Sequence, residues 1–303
     1  MLPVLGMVVV LCAVIGGFAL ENGKFVPLVQ PSELVIICGA AVGTLLTANP
    51  VEVLKKTLRR LLRVFRGPPM TREFYLASLV MLRALCDYAR RHGATKLEDQ
   101  IDDPERSVVF RRHADAIRDT GALNFICDTL RLISMTAVLP LDLDGLLDQD
   151  MEVRGRELGA PAETLMSLAD ALPALGIIAA VLGVVITMGS ITDSPTSIGE
   201  KVGSALVGTF LGVFLSYGFV APLGAHLKSI SEGEIQYYQM LRAALAAFGK
   251  GMPGSIAVEF ARRAIPPDLR PEFSQMEIAC RAVTGKAADK LYRLSENIPA
   301  APH

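Results

Sequence analysis

The sequence predicts an all-α polytopic membrane protein, with four transmembrane helices and a helical cytoplasmic domain. Three observations carry this. First, the 303 residues are 51% hydrophobic with mean hydropathy +0.41, yet 20% are charged. Both hold only if charge and apolarity are segregated along the chain. Second, residues 171–192 and 202–227 carry no Asp, Glu, Lys or Arg, and each run suffices for the roughly 20 residues that cross a bilayer. Third, 18 of the 30 Lys and Arg fall in residues 51–170 and ten more in 228–303.

Residues 1–50 are expected to hold spans 1 and 2. Span 1 covers 2–20, LPVLGMVVVLCAVIGGFAL. It lacks a basic n-region and an A-x-A site, so it reads as a retained span rather than a signal peptide. Span 2 runs from about Leu34 to Pro50, with Gly39 and Gly43 as a small-xxx-small face. Glu33 precedes it and reads as an interfacial anchor, which leaves no acid or base at depth in any span.

Residues 51–170 form the large cytoplasmic domain. VEVLKKTLRRLLRVFR (51–66) places Leu54, Leu58, Leu61, Leu62 and Phe65 on one face and Lys or Arg on the other, the pattern of an amphipathic helix leaving the membrane. Gly67-Pro68-Pro69 ends it. A helix over about 71–92 follows, stopping at Gly93. Further helices are expected over 107–119, 122–136 and 143–158, the last leading back to the membrane.

Residues 171–227 are a hairpin of spans 3 and 4 joined by the polar break ITDSPTSIGEK, and each span contains a proline and several glycines. Residues 228–303 are a helical tail with a break at IPPDLRP and a frayed end. Basic residues crowd the large loop and the tail, so the positive-inside rule puts both there and both termini in the cytoplasm.

Several classes lack their residues. The five cysteines show no CxxC, and the four histidines are scattered, so free thiols and no metal site are expected. No P-loop, GxSxG or dinucleotide fingerprint occurs, so the chain is not expected to be an enzyme. A net charge of −1 gives no sign of a nucleic-acid partner. A lone solute transporter should show inverted repeats and polar groups at midplane, and neither is visible.

Several stretches together resemble the flagellar stator protein MotA in its long-loop, proton-driven form: QPSELVIICGAAVG (30–43), RRHGATKLEDQIDDPE (from Arg90), LPALGIIAAVLGVV (172–185), VGTFLGVFLSYGFVAPL (207–223) and IAVEFARR (256–263). The resemblance implies a stator subunit in the bacterial inner membrane. Five copies would surround a dimer of a MotB-type single-span partner bearing the proton-binding Asp, and the ring would push on the rotor protein FliG. No cofactor is implied, only protons as coupling ion and membrane lipid as surroundings. The alternative is an ExbB/TolQ-like energiser of outer-membrane transport, disfavoured by the two N-terminal spans.

The resemblance also implies roles. Pro173 and Pro222 would be conformational hinges, although termination of a span near its end is the simpler use of each. Arg90 and Glu98 would face the rotor, although solvated charges at a helix end and in a loop usually do nothing of the kind. Arg91 adjoins Arg90 and could exchange with it. Ala180, Gly208 and Thr209 would line the pore. Threonines expected in sodium-driven relatives are replaced by Ala180 and Gly208, which implies proton coupling. Asp150 would be a loop acid, with Asp144 and Asp148 close by. Gly208 and Gly212 suit close helix packing.

Overall fold

The structure is a computed structural model that describes residues 2–23, 25, 28–64, 70–135, 140–189 and 195–283. The Gly67-Pro68-Pro69 stop, residues 191–194 of the polar break and the chain end beyond 283 lie outside the described residues.

All regular structure among the described residues is helical: α1 Leu2–Leu20, α2 Pro31–Ala48, α3 Val51–Arg63, α4 Arg72–Asp102, α5 Val108–Arg112, a 3-10 turn Ala114–Ala116, α6 Thr120–Ser134, α7 Pro140–Met188, α8 Pro195–Leu215, a π turn Ser216–Val220, α9 Ala221–Gly249, α10 Gly254–Ala264 and α11 Phe273–Val283. Four stretches are long and apolar enough to cross a membrane: Leu2–Leu20, Pro31–Ala48, Asp142–Met188 and Lys201–Gly249. The polar break is shorter than expected, because Pro195 opens α8. Proline suits a helix start, where its missing N–H has no partner to lose.

The chain divides into two compact units. The first is Met1–Pro68 with Arg156–Glu232; the second is Pro69–Gly155 with Gly233–His303. Hydropathy divides the chain instead at 50, 170 and 227, because it marks where apolar runs end. Packing follows side chains, and α3 packs with the apolar helices.

In the first unit, α1 has no buried residue. Ile37 and Ala41 of α2 pack on Leu172 and Ala179 of α7. Below them, Val64 meets Ala162, Leu165 and Leu227. Pro161 also lies inside α7. Beside it, Leu158 O accepts the Ser231 hydroxyl at 2.8 Å and Arg60 Nη1 at 3.5 Å.

The second unit is a helical core around α4. Its helices start on side-chain caps: Thr71 accepts from Phe74 N, Ser107 from Phe110 N and Asp119 from Ala122 N. Tyr75, Leu79, Leu82 and Leu85 of α4 are buried, as are Phe125, Ile126 and Leu130 of α6. At Gly93 the helical run breaks with φ 80° and ψ 178°. This backbone region is open essentially to glycine alone. The expected stop at Gly93 is therefore real, but a further helical segment follows it at once.

Cys86, Cys127 and Cys280 are buried. Burial pushes the Cys86 and Cys127 thiols up to about 12 and Cys280 to about 11. The thiolate is the nucleophile, so burial holds these thiols protonated and unreactive at pH 7. In the folded protein, Cys86 and Cys127 should resist maleimide at pH 7 and label fully after denaturation. Mass spectrometry of the labelled peptides reads both states.

Candidate functional site

The hairpin of the first unit is built on backbone contact. A Cβ placed on Gly212 would lie 2.6 Å from Leu172 O and 2.8 Å from Gly176 Cα, and one on Gly176 would lie 2.7 Å from Gly208 O. Both glycines are buried. No larger residue fits without parting α7 from α8, so packing is the use of the Gly208/Gly212 pair that the geometry supports.

The two prolines are not helix ends. Pro173 lies inside α7, and Pro222 is the second residue of α9, directly after the π turn. Each leaves a backbone defect. Pro173 has no N–H for the carbonyl of Ala169, four residues back. The Ser216 hydroxyl donates to Ala169 O instead, at 2.6 Å. Ser216 is 1% exposed.

Pro222 would press on the carbonyl of Gly218 in an α-helix. Here the helix widens first: Ala221 N–H bonds Ser216 O, five residues back, the signature of a π turn. Ser216 therefore meets both defects. Its side chain caps the carbonyl stranded by Pro173, and its own carbonyl closes the π turn ahead of Pro222. The sequence names both prolines but not the serine joining them.

Ala180 and Gly208 face one another across the same helix pair. A Cβ on Gly208 would lie 3.1 Å from Ala180 N and 3.2 Å from Ala179 Cβ. Thr209 is half-buried on the next face. Glu33 departs from expectation. It is not an interfacial anchor but lies in the first turn of α2 with 7% exposure. Its Oε2 would meet a Cβ on Gly208 at 2.5 Å, and its Oε1 one on Gly183 at 3.3 Å. Gly208 lies seven residues beyond Lys201, about 10 Å along a helix axis. So a carboxyl does reach into the apolar hairpin, and among the described residues no donor meets its Oε2. The signal was present: Gly183 of α7 and Gly208 of α8 leave room for a side chain from α2.

The charged positions lie in the second unit. Arg90 is exposed, and its Nη2 donates to Gly251 O at 2.7 Å. Gly251 has φ 81°. Glu98 lies on the helical segment after Gly93, not in a loop, and its Oε1 accepts the Ser134 hydroxyl at 3.2 Å. Gly93 sets the direction between the two charges. Arg91 is exposed beside Arg90.

Asp150 pairs with Arg154 at 3.0 Å, while Asp148 meets Arg242 at 2.6 Å and Asp144 meets Lys250 at 2.5 Å. The three acids are thus separated by partner. The Arg154 guanidinium also stacks over Phe125 and Tyr238, at 5.1 and 4.9 Å. A buried pair that the sequence did not suggest, Arg118 with Glu234, is 13% and 6% exposed. Nearby, Ala116 O accepts from Ser78 Oγ and Tyr237 Oη. Among the described residues no cluster of three metal-ligating side chains occurs.

The first unit offers a close-packed apolar hairpin with two proline defects, and the second carries exposed Arg90 and half-buried Glu98.

Comparison with known proteins gives consistent findings. A family model described as Motility protein A N-terminal matches residues 4–93, and one described as the MotA/TolQ/ExbB proton channel family matches residues 122–240. Motility protein A of Escherichia coli is 37% identical over 283 residues, covering 93% of this chain and 96% of its own. Chemotaxis protein LafT of Vibrio parahaemolyticus is 37% identical over 273 residues, covering 90% and 96%. Among solved structures, C. jejuni MotAB superposes with TM-score 0.69 at 19% identity, covering 88% of this chain and 96% of that one. The flagellar MotAB stator complex of Bacillus subtilis gives 0.67 at 21%, covering 91% and 98%.

Two outcomes test the hairpin. Gly212→Ala should lower the thermal midpoint in detergent, by about 1–3 kcal/mol of overpacking, while Gly155→Ala, in open space, should not. Ser216→Ala should cost about 1 kcal/mol in the native background, and little when Pro173→Ala has restored a donor for Ala169 O. A double-mutant cycle on thermal unfolding reads the difference.

Proposed function

The chain belongs to the motility protein A family, within the MotA/TolQ/ExbB proton channel family, and we propose that it is the torque-transmitting stator subunit of a flagellar motor. The observation that carries the reading is the glycine-packed hairpin whose two proline defects meet at Ser216. A MotB-type single-span partner supplies the proton-binding Asp, and several copies of this chain surround it, five around a partner dimer. The assembly sits in the bacterial inner membrane with both termini and the large loop in the cytoplasm. Domains 1–50, 51–170, 171–227 and 228–303 then act as outer spans, rotor-contacting domain, pore wall and tail. The chain is not an enzyme and uses no cofactor; the proton is its coupling ion.

The mechanism follows from magnitudes. One proton moving through about 100 mV supplies roughly 2.3 kcal/mol, enough to bias two packings tens-fold. It is far too little to unfold a helix. The movement must be a hinge or a rigid-body step. Helix hydrogen bonding resists bending except where it is already interrupted, and within the hairpin of residues 171–227 prolines interrupt it at Pro173 and Pro222. Ala180, Gly208 and Thr209 line the path. Of these three positions only Thr209 carries a side-chain oxygen, which favours proton over sodium coupling; the Glu33 carboxyl lies beside Gly208.

Arg90 and Glu98 engage opposite charges on FliG, steering contact and register. Asp150 is the loop acid of this reading and pairs with Arg154 one turn on in the same helix.

Three measurements test this. In a non-motile deletion strain, this chain with its partner should restore swimming, and a protonophore should abolish it while replacement of sodium by potassium should not. Sodium-dependent torque would overturn proton coupling. Arg90→Glu should reduce swimming several-fold and be partly rescued by reversing a FliG charge. Arg90→Glu also breaks the bond to Gly251 O, but such a structural loss would not respond to the rotor. If charge reversal at neither Arg90 nor Arg91 has any effect, the rotor-facing role falls.

A further inference from the structure

We propose that the outward face of α3 is a binding surface for anionic phospholipid headgroups. The helix has two working faces. On the inward one, Thr57 is 7% exposed and Leu61 packs at the Val64 cluster. Two of its bases have protein partners: exposed Lys56 pairs with Glu157, and half-buried Arg60 donates to Ser231 Oγ at 3.4 Å.

The outward face has a different composition. Leu58 and Leu62 are 63% and 61% exposed, one turn apart. Lys55 and Arg59 are exposed alongside them. At 100° per residue, the two leucines form one ridge and the two bases a strip about 60° around the helix from it. Glu52 is the one acid of the helix.

The position of the helix selects the occupant. Only Asn49 and Pro50 separate α3 from α2, a stretch apolar enough to span a bilayer. A helix leaving a span within two residues is held at the headgroup layer. There an apolar ridge can enter the acyl region while the adjacent basic strip stays among phosphates. A neutral bilayer satisfies the leucines alone. Lys55 and Arg59 are complementary to net negative headgroups, and each base near such a surface favours it about fivefold.

The chain contains no tryptophan, so Leu58→Trp gives a single reporter in the full-length protein. The protein is reconstituted into vesicles containing brominated phosphatidylglycerol or brominated phosphatidylcholine at equal mole fraction. The expected result is several-fold stronger quenching by the anionic lipid. High salt should reduce the preference, Lys55→Gln/Arg59→Gln should remove it, and Lys55→Arg/Arg59→Lys should keep it. Equal quenching by both lipids would overturn the selection of anionic headgroups. No quenching by either, while Val9→Trp in α1 is quenched by both, would mean that protein covers the face, which also overturns the proposal. Leu62→Trp serves if Leu58→Trp fails to fold. The readout needs neither partner nor rotor, so it stands or falls apart from the torque reading.

Discussion

A carbonyl in hydrocarbon must find a donor, because no water is there to supply one. Proline breaks that rule twice in this hairpin, and much of the local architecture is the response. Ala169 O, stranded by Pro173, takes its hydrogen bond from Ser216. The helix before Pro222 widens into a π turn, so Ala221 N–H reaches back to Ser216 O. The close approach of α7 and α8 makes the first of these possible. Only a contact with no side chains between the helices lets a short hydroxyl reach a neighbouring backbone. The glycines at 176 and 212 and the serine at 216 are therefore parts of one solution, even though they serve packing and hydrogen bonding separately.

Much of this was legible in the sequence, for physical reasons. Four apolar runs and the crowding of basic residues gave spans and segregation, because membrane insertion reads the same quantities. The amphipathic period of residues 51–66 and the stop at Gly93 were visible as local patterns. Other features were not, because they depend on the third dimension. A glutamate at the start of a helix looks like a headgroup anchor until Gly183 and Gly208 of two other helices are seen to make space for it. Pro173 and Pro222 look like terminators because proline usually ends helices in water, whereas here Ser216 caps the carbonyl stranded by Pro173 and a π turn makes room for Pro222. Pairing of Arg118 with Glu234 joins residues 116 positions apart, beyond any pattern of spacing.

The second unit obeys a different solvent. Its charges are spread among partners rather than excluded. Asp144, Asp148 and Asp150 lie within one short stretch of α7, yet each meets a different base. Such exposed pairs contribute little stability one by one. Asp148 and Asp144 reach across to Arg242 and Lys250 and so orient this part of α7, whereas Asp150 pairs with Arg154 one turn on in the same helix. The buried aromatic cluster of Tyr75, Tyr237 and Tyr238 gives the same unit a core whose hydroxyls are directed to backbone and carboxylate acceptors where these are at hand. Burial raises the Tyr238 phenol to about 12, which favours its neutral, hydrogen-bond-donating form.

The contact between Gly176 and Gly212 also bears on friction. Ordinary helix pairs interlock through side chains, and sliding one past the other forces rotamers over barriers that dissipate work. Where backbone rests on backbone there are no rotamers to cross and nothing to snag. A shift at such a joint would meet fewer barriers than one between helices interlocked by side chains.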